Sequence, residues 1–97
     1  MLKNLVVKVA LVFKEIIMQE KMEERHKKIT HIQNTIWEIY KSFLSNHDLN
    51  EYNHRWTELM EKYRNRENEE FFSFCKCQFI TWEQVIRNFA EEFRNCE

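Results

Sequence analysis

Residues 71–79 read FFSFCKCQF, four phenylalanines and two cysteines in nine positions. Cys75-x-Cys77 is a spacing that zinc can use from a turn. A helix turns about 100° per residue, so positions i and i+2 point roughly 200° apart and cannot share one ion. A tetrahedral site also needs a second close Cys or His pair, and none occurs; His47, His54 and Cys96 would have to converge from afar. No metal and no other cofactor is expected. Cys75 falls on an apolar helical stripe and reads as a small buried hydrophobe. Cys77 falls off that stripe and reads as an accessible thiol. A cysteine nucleophile requires a placed base, and the sequence places none.

Two Glu-x-x-His patterns occur, Glu23–His26 and Glu51–His54. Di-iron bundles use two such motifs with two further glutamates, all pointing into the core. Helical geometry opposes that chemistry here. Glu51 and His54 project away from the Leu49/Trp56/Tyr63 face, and Glu23 and His26 lie off the Ile29/Ile36/Phe43 stripe. Both pairs also fall near helix starts. They read as solvated surface pairs, so the chain is not expected to be an enzyme.

Basic residues cluster in Arg25-His-Lys-Lys28 and Arg64-Asn-Arg66, with Trp37, Tyr40, Trp56 and Tyr63 interleaved. Bases stacking on aromatics above a cationic groove would suit a single strand. A formal net charge of −1 gives no overall cationic field, and Tyr40, Trp56 and Tyr63 occupy core positions. A nucleic-acid-binding regulator using Arg25, Lys27, Lys28, Arg64 and Arg66 is therefore the alternative reading.

The elements that must position these residues are helices. Gly and Pro are both absent, so turns that need positive φ have no natural residue, whereas helix interiors need neither. Apolar residues recur with helical period in four stretches. Leu2, Leu5, Val9, Val12 and Ile16 keep 3-4-3-4 spacing, with Val6, Phe13 and Ile17 widening the stripe. Met22, Ile29, Ile32, Ile36, Ile39, Tyr40 and Phe43 share a second face. Leu49, Tyr52, Trp56, Leu59, Met60 and Tyr63 form a third. Phe72, Cys75, Phe79, Trp82, Ile86, Phe89 and Phe93 form a fourth, with Phe71 beside it.

Asp48-x-x-Glu51 is a capping-box pattern after the polar Ser45–Asp48 cluster. Asn68 followed by Glu69 and Glu70 reads as another helix start. Thr81-x-x-Gln84 resembles a box too, but the stripe runs through it without a phase change, which predicts one helix over about 69–95. The strongly polar residues 19–28 leave the first boundary open. Short connections favour antiparallel neighbours, so the expected fold is all-α, a compact antiparallel helical bundle of about four helices in one domain, 1–97.

Residues 1–21 read as an apolar N-terminal helix. Lys8 interrupts any leader-like core, and the longest unbroken apolar run, Val9–Phe13, is far short of the ~20 residues that span a bilayer. MEERHKKITHIQ from Met22 would make an ordinary start of its own, so residues 1–21 suit an appended or oligomerising element. Lying on a membrane surface, with Lys3, Lys8 and Lys14 near head groups, is a second alternative. Three cysteines are poor arithmetic for a disulfide framework and fit a reducing cytoplasm.

Several apolar residues fall off the stripes. Val7, Leu11 and Met18 line the back of the first helix. Trp37 sits about 110° from its stripe. Ile80 is far from the fourth stripe, with Phe74 and Val85 at its flank. Large exposed apolar residues mark interfaces, and Trp is enriched in hot spots. Val7, Leu11, Met18, Trp37, Phe74, Cys77 and Ile80 are thus the expected contacts for a protein partner or a homodimer.

The runs IWEIYKSFL (36–44), YNHRWTELMEKYRN (52–65) and FITWEQVIRNFAEEF (79–93) resemble small uncharacterised all-helical proteins encoded by phages and mobile elements of low-GC Gram-positive bacteria. The resemblance covers roughly residues 22–95. It implies no catalytic residue. It implies a protein that binds and blocks a host protein, a class that includes anti-CRISPR and other anti-defence inhibitors.

Overall fold

The computed structural model describes the backbone of residues 2–96 and the side chains of residues 6–96. The side chains of Leu2, Lys3 and Leu5, which the sequence assigns to the first stripe and to a membrane contact, lie outside the described residues. Helix α1 spans Leu2–Asn46, α2 spans Leu49–Lys62, and α3 spans Glu69–Asn95, with a single 3₁₀ turn at Arg66–Asn68 before it. The chain is all-α, and no described residue lies in a strand.

Among the described residues the structure corrects the expected count of about four helices to three. The first two stretches are one continuous helix. Residues 19–28, QEKMEERHKK, are polar yet consist of Gln, Glu, Lys, Met, Arg and His, with neither Gly nor Pro. Polarity removes the apolar stripe without removing helix propensity. Among the described residues no helix is long and apolar enough to cross a membrane.

Two compact units divide the chain, Met1–Thr30 and His31–Glu97. The second is a small bundle. Its core is Ile32, Ile36, Ile39 and Phe43 from α1, Tyr52, Trp56 and Leu59 from α2 with Tyr63 at its end, and Phe71, Cys75 and Ile86 from α3. Ring contacts fix its topology. Phe43 meets Tyr52 and His31 meets Tyr63, so α2 runs back along α1. Trp56 meets Phe79 and Tyr63 meets Phe71, so α3 runs back along α2.

The connections are built from capping side chains. Asp48 Oδ1 accepts from the Glu51 N–H at 3.1 Å, one arm of the expected box. The other arm is replaced: the Asp48 N–H donates to Asn46 Oδ1 at 2.9 Å. Glu51 instead accepts from Ser42 Oγ at 3.1 Å and Asn46 Nδ2 at 2.7 Å. The carboxylate thereby ties the start of α2 to the end of α1. His47 takes the left-handed conformation, φ 56°, that normally favours glycine after a helix end, and its N–H donates to Phe43 O at 2.8 Å. In the next connection Asn68 is the N-cap residue of α3, as expected, but its side chain makes no capping bond; the side-chain cap is Asn65, three residues earlier, whose Oδ1 accepts from the Asn68 N–H at 2.9 Å. α3 then passes through Thr81 unbroken, as the unshifted stripe predicts; Thr81 Oγ1 donates to Cys77 O at 2.9 Å.

The first unit is the N-terminal part of α1. Val9, Val12 and Ile16, expected as a core stripe, are exposed, as are Met22 and Ile29. A lone helix has a surface and no interior, so nothing within this unit can cover them. Leu49, expected on the α2 stripe, is the first residue of that helix and is also exposed.

Candidate functional site

The residues that suggested catalysis serve helix ends and helix surfaces. Glu51 joins α2 to α1. His54 Nε2 lies 2.8 Å from Glu58 Oε1, an exposed pair one turn further along α2. Glu23 and His26 are exposed on α1. Among the described residues no group of three or more His, Cys, Asp or Glu is placed to hold a metal ion.

Cys75 is fully buried, and burial pushes its thiol up to about 11. A thiol so rarely ionised at neutral pH is a poor nucleophile. Cys77 is exposed, and all three cysteines are free thiols. Phe71 is buried, Phe72 and Phe74 are half-buried against the core, and Phe79 packs on Trp56.

The basic clusters divide between the units. Arg25, Lys27 and Lys28 belong to the first and Arg64 and Arg66 to the second. Arg64 pairs with Glu61 at 3.1 Å, and its guanidinium sits 5.5 Å from the centre of the Phe72 ring. Lys76 approaches the same ring at 5.4 Å. Phe72 is thus flanked by two cations. This ring edges a groove of about 470 Å³ that Met60, Phe79 and Ile80 also line, and Ile80 is among the exposed residues singled out above.

A more apolar groove of about 490 Å³ lies between α1 and α3, lined by Trp37, Tyr40, Thr81, Trp82, Val85 and Phe89. Tyr40 is its hub. The Tyr40 ring lies 5.2 Å from Trp37, 5.0 Å from Trp82 and 6.4 Å from Phe89, all at tilted angles. Trp37 is 52 % exposed. Sequence spacing singled out Trp37 and Val85 as misplaced but assigned Tyr40, Trp82 and Phe89 to core stripes. The structure places those three at the stripe edges, half-buried, where they form the walls. Their width and aromatic character were the available signal: a stripe several residues wide has flanks that only a neighbour can cover.

In the first unit, ten large apolar side chains from Val6 to Met22 are each between 47 % and 65 % exposed. Val7, Leu11 and Met18 are among them. Val9, Val12, Phe13 and Ile16 surround a furrow of about 220 Å³ on the opposite face, with Lys8 at its rim.

Fold and surface define an all-α protein with a small aromatic-cored bundle and two exposed apolar regions. No family model matches the chain, and no curated protein or solved structure does so either.

Proposed function

We propose that this protein is a non-enzymatic binding module that occludes or bridges a protein partner in the cytoplasm, as a homodimer or a stoichiometric complex. The observation that carries the reading is apolar surface without cover. Ten aliphatic and aromatic side chains on one helical unit are each between 47 % and 65 % exposed, on both faces of α1, and large exposed apolar residues of this kind mark interaction surfaces. The Trp37–Tyr40–Trp82 groove supplies a second anchor of the kind that hot spots use, a rigid aromatic cleft with an exposed Trp at its mouth. The resemblance of residues 22–95 to small phage and mobile-element proteins extends the proposal: the partner is a host protein, of the kind that anti-CRISPR and other anti-defence inhibitors block.

The test is capture from the native host's lysate with the full chain, compared with Trp37→Glu and Val85→Lys chains of equal helicity by circular dichroism. A partner retained by the parent and lost by both variants supports the reading. An unchanged set of captured proteins removes the groove from it, and loss of helicity in the variants makes Trp37 a core residue.

A further inference from the structure

We infer that residues 6–22 of α1 form an antiparallel pair with the same residues of a second copy of this chain. The inference rests on the binding reading and names the occupant of one of its surfaces. Val9, Val12 and Ile16 continue the 3-4-3-4 spacing of Leu2 and Leu5, which is the a/d pattern of a coiled coil. All three are exposed, and with Phe13 they ring the furrow described above. Four residues around one depression are the form of the hole that a facing knob enters in such coils. The furrow is a receptor for an aliphatic side chain carried on another helix.

The charges beside the seam choose the copy and its direction. With Val9 at an a position, Lys8 and Glu15 both occupy g, while Val6, Phe13 and Glu20 occupy e. Antiparallel helices set g against g and e against e. Lys8 of each chain then meets Glu15 of the other, twice per pair, and Val6 meets Phe13 on the apolar flank. A parallel pair sets g against e and brings Glu15 of one chain beside Glu20 of the other. Opposite charges at these flanking positions select partner and orientation, and like charges oppose them. Six of the ten exposed side chains, Val6, Val9, Val12, Phe13, Ile16 and Met22, occupy a, d, e or g positions and so lie in this seam. Self-complementarity in both charge and apolar flank is what an interface between copies related by a two-fold axis requires.

Light scattering after gel filtration of the full-length protein is the test. A dimer of the 12.2 kDa chain is expected. Lys8→Glu and Glu15→Lys, each alone, should raise the dissociation constant roughly tenfold or more at low salt, because each turns two attractive pairs into two repulsive ones. The double variant restores the pairing between two identical copies, and an equimolar mixture of the two single variants restores it between unlike copies. A monomer at all concentrations up to about 100 μM, far above the range of stable complexes, overturns the inference. So does a dimer insensitive to the single charge reversals. Flotation with phosphatidylglycerol vesicles by a chain that stays monomeric assigns the apolar face to a lipid surface and overturns it equally. Trp37→Glu should leave the dimer untouched. A monomeric chain that still loses its captured partner on Trp37→Glu would overturn the pairing and leave the binding reading standing.

Discussion

The imidazole of His47 lies flat on the Phe93 ring, with centroids 3.7 Å apart and planes 10° from parallel. The contact joins the α1–α2 turn to the far end of α3. His47 also takes φ 56°, a conformation that costs a non-glycine residue of order 1–3 kcal/mol and persists only where its surroundings impose it.

Replacing His47 therefore separates strain from stacking. His47→Val combines a β-branched residue at positive φ with loss of the stacked ring and should cost about 2 kcal/mol or more. His47→Asn keeps a residue that tolerates the left-handed region and should cost less than half as much. Urea denaturation at neutral pH reads both. Equal losses would show that the ring contact, not the backbone, dominates.

The core predicts an alkaline limit. Tyr52 is raised from 10.0 to about 12, chiefly by burial, with the Trp56 side chain opposing and Glu83 adding to the rise. Burial raises Cys75 from 9.0 to about 11. The folded chain thus holds both protons more tightly than the unfolded chain. The stability they confer is intact below pH 9, then declines through pH 9–11 for the thiol and pH 10–12 for the phenol. Urea midpoints should fall across this range, and Tyr52→Phe should flatten the upper part. The Trp56 side chain lies close enough to the Tyr52 hydroxyl to favour its ionised form, but neither Tyr52 Oη nor Trp56 Nε1 makes a hydrogen bond of proper geometry, so Tyr52→Phe at pH 7 should be neutral or stabilising by up to ~1 kcal/mol. A loss of more than that would mean the hydroxyl has a partner.

Trp37 and Trp56 should part company. Trp56 is 1 % exposed and touches the rings of Tyr52, one turn earlier on α2, and Phe79 of α3. Trp56→Ala should cost ~3–5 kcal/mol. Trp37→Ala should change the urea midpoint little, since the side chain is half in solvent. Similar large losses for both would place Trp37 in the core.

Thiol labelling provides an independent check on the α3 face. With a colorimetric disulfide reagent, Cys77 and Cys96 should react in the native state. Cys75 should react only on the timescale of unfolding, being both buried and held as the thiol. Three equally fast thiols would contradict the packing of Phe71, Cys75 and Ile86.

Periodicity made the bundle legible. Ile36, Phe43, Trp56 and Ile86 lie where their spacing puts them, because one apolar face per helix has one place to go. The same spacing misled at Met22 and Ile29, which keep the α1 phase and are exposed. Periodicity reports which face is apolar and not whether anything covers it. The missing boundary at 19–28 has a similar cause, since polar residues of high helix propensity end a stripe without ending a helix. Asp48 and Glu51 announced a cap, but Glu51's turn toward Ser42 and Asn46 depends on where α1 ends, which no local pattern encodes. Trp37 and Val85 were visible as misplaced residues, whereas the cleft they share with Trp82 needed the pairing of α1 with α3.

The unbroken course of α1 places two regimes of protection on one helix. Its amides from His31 onward are hydrogen-bonded over a packed core and can exchange with solvent deuterium only when that core opens. Those between Val6 and Thr30 carry the same backbone hydrogen bonds with side chains largely in water. Helix propensity alone leaves such a segment marginal, so in the isolated chain those amides should exchange many times faster than their neighbours across position 31. Whatever covers the apolar residues would erase that step, and the exchange profile of a single helix would then report, residue by residue, whether the partner is present.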